Sequence, residues 1–295
     1  MTTLFYYLIF PGLLFVLLVG MLASWIERKV TARVQWRVGP PLLQPLYDIM
    51  KLFTKENVVP QHAHLLAFTA APLIAFVSAG LAATIVGMSI FFPEASFQGD
   101  LIVVAYLLVI PPLALILGGA ASANPLASLG ASREMKMVLS YELIFWTAIL
   151  VAWIKTGGTV NLTAMAGKGA VAGSVSGAIA FILMLITIQA KLGRVPFDVA
   201  EAETEISGGP YIEYSGPLLG FFRMSQYILL VTVPVLVSIV FLGGAGIGRY
   251  VILLVIIILA ENTNPRLKIT QCLRLFWFIL FPVGLIAIIL AILGY

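Results

Sequence analysis

Five of the chain's 13 carboxylates fall in one stretch, RVPFDVAEAETEISGGPYIEYSG at residues 194–216: Asp198, Glu201, Glu203, Glu205 and Glu213. Glu201 and Glu205 would share a face on a helix, and Glu201, Glu203 and Glu205 would share one on a strand. Like charges this close repel, and the cost falls when some bind protons or meet basic partners. Such a cluster can relay protons, dock a basic surface or simply stay solvated. The flanking PFD, GGP and EYSG are turn formers, so the stretch reads as a shaped segment rather than a slack tether.

Glu142 lies in MVLSYELIFW, about one turn inside an apolar run. Carboxylates at membrane depth are costly and mark ion or proton routes, so Glu142 is a candidate for proton uptake and release. The plainer alternative is a structural ion pair or hydrogen bond, to Tyr141 or to an arginine of another helix. Glu261 closes a further apolar run and is either buried by helix tilt or solvated at the interface. Arg28, Lys29, Arg33 and Arg37 recur at near-helical spacing, either as ordinary membrane anchors or as a docking surface for an acidic partner. Arg133 and Arg194 join that docking set. His62 and His64 form an H-x-H without a third ligand, too weak a pattern to count as a metal site.

The elements that must position these residues are membrane helices. The chain is 61 % hydrophobic and 10 % charged, with a mean hydropathy of +1.07. Roughly 20 apolar residues cross a hydrocarbon core of about 30 Å. Backbone groups in lipid must be satisfied within their own segment, which favours helices. The expectation is an all-α integral membrane protein of eight transmembrane helices, at 4–26, 65–92, 101–121, 138–154, 174–192, 218–242, 250–260 and 275–293. The seventh would start near Gly246, and Pro72, Pro111-Pro112, Pro234 and Pro282 would kink their spans. The N-terminal run lacks the basic n-region of a cleaved signal and reads as a retained first helix.

With no linker or internal repeat, residues 1–295 read as one polytopic domain. Its cytoplasmic loops would be about 27–64, 122–137, 193–217 and 261–274. Alternate loops carry fourteen Lys and Arg residues, and the opposite loops only Lys155, Lys168 and Arg249. The positive-inside rule then puts both termini on the outer side. After the first span, PLYDIMKLFTKE sets Leu46, Ile49, Met50 and Phe53 at i, i+3, i+4 and i+7. That is an amphipathic helix, suited either to the membrane interface or to packing on the protein's own spans. The single cysteine, Cys272, excludes a disulfide framework and an iron–sulfur cluster held by this chain alone. There is no Gly-rich dinucleotide fingerprint and no Walker motif.

Three segments together resemble the complex I subunit 1 family: ERKVTARVQWRVGP with LLQPLYDIMKLFTKENVVP, then SREMKMVLSYE, then the acidic stretch. The resemblance implies a membrane anchor that holds no cofactor. It would link a peripheral redox arm, with 4Fe-4S clusters in partner subunits, to antiporter-like membrane subunits. It also implies coupling roles for Asp198, Glu201, Glu203, Glu205 and Glu213, and a proton route through Glu142.

Three departures from the quinone-using members stand out. Gly39-Pro40-Pro41 runs almost directly into LLQP, Lys191 stands where an acid is expected, and GESELVSGF is replaced by AETEISGGP. These resemble the branch of energy-converting, membrane-bound NiFe hydrogenases and their sulfur-reducing relatives. The implied partners are iron–sulfur and hydrogenase-like large subunits, antiporter-like subunits, the lipid bilayer and, indirectly, ferredoxin, with no nucleic acid. A quinone-site subunit of a complex I-like dehydrogenase is the alternative. A stand-alone secondary transporter is remote, because the repeats and broken midplane helices of such folds are absent.

Overall fold

The computed structural model describes residues 2–295, and the side chains of all of these except residues 2, 3, 203 and 204. Among the described residues every regular element is helical.

The first apolar run is broken in two, α1 (Thr2–Leu8) and α2 (Leu13–Val34). The break falls at Pro11-Gly12, where a Cβ on Gly12 would stand 2.0 Å from the Tyr7 carbonyl oxygen. α2 does not stop at Ile26, because Glu27, Arg28, Lys29, Ala32 and Arg33 are good helix formers that carry it on to Val34. α3 (Gln44–Thr54) is the expected amphipathic helix, with Pro45 in its first turn. α4 (Leu65–Phe91) follows, with Pro72 inside. α5 (Asp100–Leu107) and α6 (Ile110–Ala121) divide where Pro111-Pro112 interrupt the backbone ladder.

α7 (Pro125–Lys155) begins inside the segment expected as a loop at 122–137, which is helical from Pro125 on. Asn124 Oδ1 accepts from the Leu126 N–H at 2.8 Å, and proline follows at the first helical position. This N-cap and N1 pair starts the helix early. Glu142 lies within this 31-residue helix, whose first turns precede the apolar run. α8 (Leu162–Gly167), α9 (Val175–Lys191), the short α10 (Glu203–Ile206) and α11 (Gly216–Leu242) follow. α12 (Ile247–Thr263) begins after Gly246, and α13 (Ile269–Arg274) leads through a π-helical turn at Leu275–Leu280 into α14 (Phe281–Ile292).

Among the described residues six stretches are long and apolar enough to cross a membrane: Leu4–Val34, Leu65–Phe91, Asp100–Ala121, Pro125–Lys155, Gly216–Leu242 and Ile269–Ile292. α9 and α12 have 17 residues each. At 1.5 Å per residue each is about 25 Å long, short of a hydrocarbon core of about 30 Å. Against the eight crossings expected, the described residues give six stretches of that length and one shorter apolar helix, α9.

The chain divides into two compact units, each assembled from three segments. One comprises Met1–Thr84, Tyr106–Met135 and Asp198–Thr232. Its core joins Phe68, Ala71 and Ala75 of α4, Ala114 and Leu115 of α6, Tyr214, and Leu218 and Phe222 of α11. In the same unit Ile49 of α3 is buried with Met21, Met224 and Tyr227, while Leu46 and Met50 remain exposed. The amphipathic helix thus packs Ile49 and Phe53, whose ring lies 5.4 Å from that of Phe221, on the protein and leaves Leu46 and Met50 open. The other unit comprises Ile85–Ala105, Lys136–Phe197 and Val233–Tyr295. There α7 and α14 approach closely, since a Cβ on Gly284 would stand 2.9 Å from Thr147 Oγ1.

Candidate functional site

In the unit that holds residues 198–232, the acidic stretch is built on backbone that few residues tolerate. Ser207, Gly208 and Gly209 have φ of 52°, 93° and 55°, three left-handed residues in a row. They turn the chain after α10 into a 3₁₀ turn at Gly209–Tyr211. Pro210 is wedged between two glycines, where a Cβ on Gly119 would stand 3.0 Å from Pro210 Cβ and one on Gly130 2.6 Å from Pro210 Cδ. The Gly-Gly-Pro sequence therefore fastens the loop to α6 and α7.

The charges around this anchor are held by specific partners. Glu213 accepts a hydrogen bond from Asn124 Nδ2 at 2.5 Å. Arg133 donates to Glu205 at 2.5 Å and to the Val199 carbonyl at 3.4 Å. With side chains 19 % and 51 % exposed, the Arg133–Glu205 pair contributes about 0–1 kcal/mol. It orients the loop more than it stabilises it. Glu201 and Asp198 are half-buried, and the side chain of Glu203 lies outside the described residues. Tyr214 stacks on Phe68 at 4.2 Å and donates its hydroxyl to the Phe68 carbonyl at 3.0 Å.

Tyr211 collects the rest. Its hydroxyl accepts from Gln226 Nε2 at 3.0 Å, and the Arg223 guanidinium lies 5.4 Å from its ring centre. Burial holds its phenol well above the ordinary tyrosine range; the negative charge of Glu201 adds to this, Arg223 opposes it and Glu134 adds again. Glu134 does not stand out in the sequence, where it reads as one more loop charge between Arg133 and Lys136. Its place on a continued α7, signalled by Asn124-Pro125, brings it within electrostatic reach of Glu201.

In the unit that holds residues 136–197, Glu142 makes an ion pair with Lys191, the last residue of α9. The side chains are 13 % and 2 % exposed respectively. The Lys191 ammonium lies 4.3 Å from the Phe145 ring centre and 5.4 Å from that of Tyr141. Aromatic faces and the negative end of a helix both favour a cation. Glu142 Oε2 is buried with no hydrogen-bond partner among the described residues. The partner is thus a lysine that the sequence marks only as a departure from its relatives, neither a tyrosine nor an arginine. The geometry supplies one buried acid and one buried base in direct contact, which can exchange or jointly hold a proton.

The remaining candidates are scattered. Glu261 is half-buried near the end of α12, and Arg194 is half-buried. Arg28 pairs with Asp48 of α3 at 2.8 Å, and Lys29 donates to the Gly39 carbonyl at 3.2 Å, so both brace the first loop. Arg33 and Arg37 are exposed. Glu27 of α2, which reads in the sequence as part of a charged run, is 3 % exposed. Among the described residues no group of three or more His, Cys, Asp or Glu side chains is placed to hold a metal ion.

Known proteins align with this arrangement along almost its whole length. The family described as NADH dehydrogenase matches residues 8–292. The H subunit of NADH-quinone oxidoreductase from Thermomicrobium roseum is 34 % identical, over 92 % of this chain and 90 % of its own. Its namesake from Syntrophotalea carbinolica is 34 % identical, over 89 % and 87 %. Among solved structures, a chain of the membrane-bound sulfane sulfur reductase, an archaeal respiratory membrane complex, superposes with a TM-score of 0.88 at 27 % identity, over 99 % of this chain and 100 % of its own. Matched over residues 8–292 and sharing about a third of its residues with those two relatives, the chain belongs to the NADH dehydrogenase family, the complex I subunit 1 family expected from its motifs.

Proposed function

We propose that the chain is the membrane anchor and coupling subunit of a respiratory complex of the membrane-bound hydrogenase or sulfur-reductase type. It joins a peripheral redox arm to an ion-pumping membrane arm. The observation that carries this choice is end-to-end correspondence with the sulfane sulfur reductase chain, 99 % against 100 %. The quinone-oxidoreductase relatives extend beyond the match, with 87–90 % covered in the two described above. The short first loop agrees, since Gly39-Pro40-Pro41 leads almost directly to α3, without the insertion that the resemblance gives to quinone-using members.

In this reading the partners hold the 4Fe-4S clusters and any NiFe centre, and reduced ferredoxin is the electron source. Electrons end on protons or on sulfur, and H⁺ or Na⁺ is moved across the cell membrane. α9 and α12 complete eight crossings, and both termini lie outside. The loop at 198–215 receives redox-linked changes from the arm, and Asp198, Glu201, Glu203, Glu205, Glu213, Glu142 and Glu261 carry the charge response. Unit charges about 4 Å apart interact by several kcal/mol at an effective dielectric near 20, which is large enough to move a proton.

Two experiments bear on it. Purification of the intact complex through this chain should bring a large subunit with four nickel-binding cysteines or its sulfur-reducing counterpart, together with ferredoxin-dependent H₂ evolution or sulfur reduction. Quinone reduction blocked by a quinone-site inhibitor would favour the second reading, which the quinone-oxidoreductase relatives support. Separately, Glu142→Gln should abolish ion pumping in reconstituted vesicles while electron transfer and assembly persist. Wild-type pumping by that variant would remove Glu142 from the route.

A further inference from the structure

The end of α2 carries a conformation that its residue should avoid. The Trp36 N–H donates to the Arg33 carbonyl at 3.1 Å, and the Arg37 N–H to the Ala32 carbonyl at 2.7 Å. These are the paired bonds of a Schellman stop, whose left-handed residue is usually glycine. Here that residue is Trp36, with φ of 59°. A bulky residue there is strained, and such strain gathers where a side chain is held for use.

The surroundings fix the loop and leave the indole out. Trp25 Nε1 donates to the Pro40 carbonyl at 3.1 Å, and Lys29 to the Gly39 carbonyl at 3.2 Å, pinning residues 39 and 40 back onto α2. Trp36 is 97 % exposed and Val38 88 %. Arg33 and Arg37, both exposed, have no hydrogen-bond or ion-pair partner among the described residues. A rigid aromatic ringed by arginines is the make-up of an interface hot spot.

Distance separates a protein partner from lipid. The charge-free run ends at Ile26, and α2 continues to Val34. At 1.5 Å per residue that is about 12 Å, whereas headgroups extend about 5–8 Å beyond the hydrocarbon on each side. Trp36 therefore stands past the headgroups.

We propose that Trp36, presented by the Schellman stop of α2 and flanked by Arg33 and Arg37, is the anchor that inserts into an acidic-rimmed apolar pocket of a soluble partner subunit. This rests on the peripheral arm of the proposed function. It assigns the grip to Trp36, Arg33 and Arg37, while Arg28 and Lys29 shape the loop.

The test uses the intact complex, purified through this chain in mild detergent and washed with rising salt. Wild type should retain its soluble subunits. Trp36→Ala and Trp36→Gly should lose them at least about tenfold more readily, as expected of a hot-spot anchor. Trp36→Phe should retain most of them, and Arg33→Glu with Arg37→Glu should shift the loss to lower salt. Trp36→Gly restores the residue that the stop favours, so the melting midpoint of the membrane subunit should hold or rise, which separates docking from misfolding. Retention by Trp36→Ala and Trp36→Gly equal to wild type at every salt overturns the proposal. So does loss of bound anionic lipid, seen by native mass spectrometry, with the soluble subunits retained. Wild type that brings no soluble subunit at all defeats the proposed function, and the anchor with it.

Discussion

Lys191→Met should destabilise the membrane subunit by about 3–5 kcal/mol, the range for removing one partner of a buried ion pair. Total stabilities of about 5–15 kcal/mol make that a large fraction. The asymmetry of the site sharpens the expectation. Lysine alone could rest against the electron-rich faces of Phe145 and Tyr141, whereas those faces offer a carboxylate nothing. Glu142→Gln should therefore be mild in stability, and Lys191→Met severe. The double variant Glu142→Gln with Lys191→Met should recover most of the loss, because no unpaired charge remains. Thermal melts of the purified complex carrying each variant would show this. A Lys191→Met protein as stable as wild type would mean that the pair is incidental.

What the sequence makes legible follows from where the determining forces lie. Apolar run length locates the membrane helices, because lipid enforces that rule residue by residue. The amphipathic α3 is legible for the same reason, through the spacing of Leu46, Ile49, Met50 and Phe53. Helix ends escape such a reading where hydropathy stops and capping takes over. α2 passes Ile26 and α7 starts at Pro125, and the second is signalled by Asn124-Pro125. The acidic stretch is recognisable as shaped, yet its clasp to Gly119 and Gly130 is a tertiary contact that spacing does not encode. The Glu142–Lys191 pair joins residues 49 positions apart in sequence. One-dimensional reading marks both ends and has no means to join them. Arg28 and Lys29 read as docking charges by spacing, but their reach to Asp48 and Gly39 depends on how the first loop folds back.

That clasp yields the second large effect, a contrast between adjacent glycines. Gly208 and Gly209 both have positive φ, so alanine at either position bears the left-handed cost of roughly 1–2 kcal/mol. Only one of them is also enclosed. A Cβ on Gly208 meets nothing within 4 Å, whereas one on Gly209 would stand 1.9 Å from the Ala200 carbonyl oxygen. Backbone cannot swing aside as a side-chain tip can, and overpacking typically adds another 1–3 kcal/mol. Gly209→Ala should thus cost roughly 2–5 kcal/mol in total, enough to expel the 3₁₀ turn from its seat against α6 and α7. Released, Pro210 leaves Gly130, and the Arg133–Glu205 and Asn124–Glu213 contacts lose their geometry. Gly208→Ala should keep the loop seated, with at most a modest loss in stability. Limited proteolysis of the loop at 198–215 in the purified complex reads the difference directly. Rapid cleavage of Gly209→Ala is expected beside near wild-type resistance of Gly208→Ala, and equal behaviour of the two would show that the seat is not what holds the acidic stretch in place.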